Sequence, residues 1–281
     1  MKRLLVSLVL GFLFFGCGEK LSEKEQYEEL KSSMKYELYT KASKSAMPLI
    51  HSQLKKEMNE NFPKDLTIDD AHIILSLLFV TSMKADFAIA ESNILLNKKL
   101  NQEKQYISNS ILALGMYEKG WQKLANEHSK YTQSLIENPN IQDLYYEKQV
   151  IAYLAIGLLS INNKDYETAQ VSFAALGTLT NFTLLSDILN PLLQIRDGHY
   201  QEGMINLKAL QNHPQLPEEE KKIVKKLIIS IEARYGKVES TTFIFNILAD
   251  LIITKMLKDN PDTAMSKLII KITEYKDSLS F

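Results

Sequence analysis

Val150-Ile-Ala-Tyr-Leu-Ala-Ile-Gly-Leu-Leu-Ser-Ile161 is followed, after a short polar connection, by Tyr166-Glu-Thr-Ala-Gln-Val-Ser-Phe-Ala-Ala-Leu176. The first segment is apolar around the whole circumference of a helix, and the second is apolar on one face only. So short a connection joins antiparallel neighbours. The unit is a helical hairpin, and it sets the expectation for the rest of the chain.

Outward from it, helical periodicity with capping signals predicts helices over 22–42, 46–61, 67–83, 85–98, 102–117, 119–136, 140–162, 165–177, 180–196, 199–211, 217–235, 240–258 and 261–279. Ser22 to Glu25 and Thr67 to Asp70 read as capping boxes, and Pro217 before Glu218–Glu220 and Asn260-Pro261 read as helix starts. Ten Gly and seven Pro in 281 residues leave little material for turns. A formal charge of −1 excludes nucleic-acid binding by bulk electrostatics, and one Cys excludes a disulfide framework. The run Thr242 to Lys255 is apolar but interrupted by Asn246 and Asp250, so it reads as a core helix and not a membrane span.

Lys2 and Arg3 precede an apolar run from Leu4 to Phe15, which ends at Gly16-Cys17. This is a targeting segment, too short for a permanent span. Its end resembles the lipobox of bacterial lipoproteins, with Gly16 and Cys17 in place and Phe14 and Phe15 where Leu and a small residue are usual. The resemblance implies cleavage before Cys17, a covalent lipid on its sulfur, and anchoring to membrane lipid. Gly18 after the Cys implies the outer membrane, facing the periplasm. The expected organisation is a signal peptide over 1–16, a lipidated tether over 17–24, a helical hairpin over 25–66, a repeat region over 67–212 and C-terminal capping helices over 213–281.

An aromatic residue near the start of the second helix of a pair recurs at Phe87, Trp121, Tyr166 and Tyr200, with separations of 34, 45 and 34. Together with Tyr153, Ile156, Gly157, Ala169 and Phe173, and with Gly203 and Leu207 in the next unit, this resembles tetratricopeptide repeats. The resemblance implies an all-α solenoid of antiparallel hairpins. Tyr153, Gly157, Tyr166, Ala169, Phe173, Tyr200 and Gly203 are then packing positions. Ile151, Leu154, Leu158 and Ile161 are left for the concave side, to be covered by the chain's own helices or by a partner's segment. They are taken as the candidate partner-binding residues.

No catalytic constellation emerges. His51, His72, His128, His199 and His213 include no pair at i, i+4 and no zinc-protease arrangement. Gly115 to Gly120 has the glycine spacing of a phosphate loop, but Trp121-Gln122 replaces its Lys and hydroxyl residue. The expectation is therefore a non-enzymatic protein without metal or cofactor other than the lipid on Cys17. It would be a periplasmic scaffold that binds an envelope protein partner; the alternative is a lipoprotein that binds a small molecule or glycan.

Overall fold

The computed structural model describes residues 47–64, 66–135, 141, 144, 146–182, 184–214, 216–235 and 243–278. The expected signal peptide, Cys17, the tether and the helix over 22–42 lie outside these residues. Among the described residues the regular elements are all helices: α1 (Met47–Asn61), α2 (Ile68–Thr81), α3 (Ala85–Leu96), α4 (Gln102–Glu118), α5 (Gln122–Leu135), α6 (Tyr146–Asn162), α7 (Tyr166–Leu179), α8 (Leu185–Arg196), α9 (Tyr200–Gln211), α10 (Glu218–Arg234), α11 (Phe243–Asp259) and α12 (Ala264–Ser278). The chain is all-α there. Helices α2 and α3, α4 and α5, α6 and α7, and α8 and α9 pack as consecutive pairs.

The four pairs share one turn. Each first helix ends at a residue in the left-handed region, at Met83 (φ 56°), Gly120 (φ 78°), Lys164 (φ 61°) and Gly198 (φ 95°). The next N–H then reaches back five residues: Lys84 to the Phe79 carbonyl at 2.8 Å, and Trp121 to Met116, Asp165 to Ser160 and His199 to Gln194 at 2.9 Å each. This is the Schellman ending, which satisfies carbonyls that a helix terminus otherwise leaves orphaned. The aromatic residues do not keep this register. Tyr166 and Tyr200 stand two residues past the left-handed position, whereas Trp121 stands one past it and Phe87 four.

The first helices of the pairs are the interior. Every residue from Asp70 to Val80 in α2 is buried, as is every residue from Tyr106 to Tyr117 in α4 and from Leu154 to Ile161 in α6. A helix apolar all round requires cover all round. On one side the second helices supply it, and Gly157 and Gly203 set how closely. A methyl on Gly157 would lie 2.9 Å from the Phe173 ring, and one on Gly203 would lie 2.5 Å from the Pro191 carbonyl oxygen. The first helices also pack on one another, α4 on both α2 and α6, and the C-terminal segment adds to their cover. Helix α10 continues against α9, as a terminal cap does, but α11 packs on α2, α6 and α8, and α12 on α1 and α2. The expected caps over 213–281 are thus mostly a lid on the first helices. Ile244, Leu248, Ala249, Ile252 and Met256 of α11 are buried. Asn246, which interrupts this apolar run, donates to Glu118 Oε1 of α4 at 3.3 Å. No helix among the described residues is long and apolar enough to cross a membrane.

Asp70 ties the interior layer together. Its carboxylate accepts from the Thr67 N–H at 2.8 Å, as its capping box predicts. It also meets Lys104 of α4 at 3.1 Å and Lys148 of α6 at 3.2 Å. Burial pushes its carboxyl up, but the Thr67 N–H and the two lysines outweigh this and hold it below the usual range. At the other end of the chain the expected start at Asn260-Pro261 moves to Thr263, whose hydroxyl accepts the Ser266 N–H at 3.1 Å.

Candidate functional site

The positions expected to line a groove are interior. Ile151 and Leu158 are 5% and 2% exposed, and Leu154 and Ile161 are fully buried. Ile151 shares a small void with Met265 of α12, and α11 packs on α6. The chain's own C-terminal helices therefore cover this face, and these four residues offer a partner no surface. The packing positions are also placed. Ala169 and Phe173 are fully buried, and Gly157 and Gly203 are buried. Tyr153, Tyr166 and Tyr200 are half-buried. Tyr166 is a surface clamp: the Arg196 guanidinium of the next pair lies 5.1 Å from its ring centroid and donates to its hydroxyl. Tyr200 stacks on Tyr235, just past the end of α10, with ring centroids 3.9 Å apart.

Two other places among the described residues combine open volume with converging polar side chains. The first joins α1, α2 and α3. Glu91 stands on α3 within the buried run Ala88 to Ser92 and has no exposed surface. One carboxylate oxygen lies 2.8 Å from His51 Nε2 of α1, and the other meets His72 Nδ1 of α2 in a short contact. The two imidazoles sit edge to face with ring centroids 4.8 Å apart. Burial raises the Glu91 carboxyl, but the hydrogen bonds from His51 and His72 more than reverse this and hold it below the usual carboxylate range. His72 is nearly buried, whereas a quarter of the His51 side chain is exposed. Both histidines line a cavity of about 590 Å³, with Met58, Phe62, Lys55 and Lys98.

The second place is a cleft of about 440 Å³ between α10 and α11. Lys222, Lys225, Lys226, Lys255 and Lys258 surround it, and Ile229 and Leu251 contribute apolar wall. Ile229 is 54% exposed. Lys258 pairs with Glu219 at 2.8 Å and Lys255 with Asp259 at 2.7 Å. Lys225 and Lys226 make no ion pair among the described residues. The cleft is thus basic at the rim and apolar within, a combination suited to an acidic segment that carries an apolar side chain.

Neither place is obvious in the sequence. His51, His72 and Glu91 lie on three helices, so no spacing rule connects them. The available signal is that His72 and Glu91 each interrupt an apolar stretch, where an ionisable side chain needs a partner. The sequence leads to an expectation of no metal, and the histidine spacings do not reveal that the donor atoms of His51, His72 and Glu91 lie within 4.8 Å of one another. In contrast His199 and His213 are exposed. No family profile, no curated protein and no solved structure matches the chain.

Proposed function

We propose that the chain is a lipid-anchored scaffold of the bacterial envelope, a solenoid of tetratricopeptide-like hairpins that captures an acidic segment of a partner protein in the cleft between α10 and α11. The Gly16-Cys17 resemblance supports the anchor, and the turn repeated at Met83, Gly120, Lys164 and Gly198 supports the repeat reading. The observation that carries the binding surface is the open lysine-rimmed cleft, with Ile229 exposed in its wall and Lys225 and Lys226 available for carboxylates. Anchoring raises the partner's effective concentration at the membrane without any catalytic step.

The test places a photo-reactive residue at position 229 of the chain produced in a bacterial host that secretes lipoproteins. The expected result is a discrete envelope-protein adduct that disappears in a Lys225→Glu, Lys226→Glu variant. With Cys17→Ala, the protein should shift from the membrane to the soluble fraction and the adduct should weaken. Adducts that survive the charge reversal, or labelling of this chain alone, would remove the cleft as the partner site.

A further inference from the structure

We propose that His51, His72 and Glu91 form a binding site for a divalent cation of the zinc class, with a coordination position open to the adjoining cavity. The donor set is two imidazole nitrogens and one carboxylate, which suits zinc and neighbouring late transition metals. Three protein ligands with a fourth position left for water or an exogenous group is the arrangement of exchangeable zinc sites. Here the fourth direction is supplied by the cavity of about 590 Å³ on which both histidines border.

The surroundings of Glu91 point to a cation. Glu91 has no exposed surface, and its two oxygens are directed to the two histidines. As a purely structural device the trio is a poor choice, since buried ionic groups are commonly replaced by apolar ones without loss of stability. The geometry is also close to closure. Metal–ligand bonds of about 2.0–2.2 Å hold ligand atoms roughly 3–4 Å apart, and the three donors already lie within 4.8 Å of each other. His51, the most exposed of the three, has the freedom to make the remaining adjustment. Lys98 in the cavity wall is paired with Asp69 at 2.8 Å, so its charge is offset. The site rests on none of the residues of the α10–α11 cleft, so the two proposals stand or fall separately.

The test is zinc titration of the metal-stripped full-length chain in detergent micelles, read by calorimetry and by elemental analysis after dialysis. The expected result is one zinc per chain, with a rise in melting temperature on zinc addition. His51→Ala should weaken binding by more than the roughly 10–100-fold that loss of an outer-shell partner costs, and should abolish the thermal shift. A His199→Ala, His213→Ala variant, which removes exposed histidines, should bind as the parent does. Glu91→Gln should lose the metal, and if that variant fails to fold, His51→Ala carries the result. The proposal is overturned if the folded parent retains no zinc, or if His51→Ala binds it with unchanged stoichiometry and affinity.

Discussion

Lys164 holds a left-handed backbone with φ 61° at the turn position that Gly120 and Gly198 occupy in two other pairs. For a residue with a Cβ this conformation costs about 1–2 kcal/mol, whereas glycine adopts it freely and gives back only part of the gain as chain entropy. Lys164→Gly should therefore raise stability by about 0.5–1 kcal/mol, measured as a higher urea midpoint at unchanged slope. Gly198→Ala should shift the midpoint in the opposite direction. If both substitutions shift it the same way, the shared turn is not what sets these positions. At this scale local chemistry was legible: Thr67 and Asp70 form the capping box that their spacing predicts. The Glu91 trio was not, because its members come from three helices and only tertiary packing joins them.

At the scale of elements, most helix boundaries were readable from periodicity and caps, while the turn shared by the four helix pairs was not. The aromatics at 87, 121, 166 and 200 do not keep register with it, and two of the four turn residues are Met83 and Lys164, which carry no glycine signal. The all-round apolar helix α6 was equally ambiguous, since burial by self and burial by a partner leave the same pattern in a sequence. The structure resolves this toward self-cover, and Leu158→Glu tests it. Leu158 is 2% exposed, so the new carboxylate would be buried without a partner, at a cost of several kcal/mol. That is comparable to the whole stability of an ordinary domain. The variant should lose cooperative unfolding and far-ultraviolet helical signal. A Leu158→Glu protein with parental melting behaviour would mean that α11 and α12 open away from α6 in solution.

At the scale of the whole molecule, the decisive feature is that α11 returns from the end of the chain across the first helices of earlier pairs, and Glu118 sits where it meets α4. Burial pushes the Glu118 carboxyl up to about 8, more than the Asn246 hydrogen bond and Lys119 lower it. Between its ordinary value near 4.5 and 8 the folded chain therefore keeps a proton that the unfolded chain has released. Linkage then requires stability to fall as pH rises through this interval; the contribution is complete below about 4.5 and gone above about 8. The size is at most on the order of 5 kcal/mol. Asp70 and Glu91 act with the opposite sign, since their carboxyls are held low, and their contributions are lost only in acid, below this window. Glu118→Gln keeps an oxygen for Asn246 while removing the proton equilibrium. Its denaturation free energy should match the parent's near pH 4.5 and exceed it progressively toward pH 8. Parallel pH profiles for the two proteins would show that Glu118 is hydrated in solution, and that its contact with Asn246 of α11 does not shield it from water.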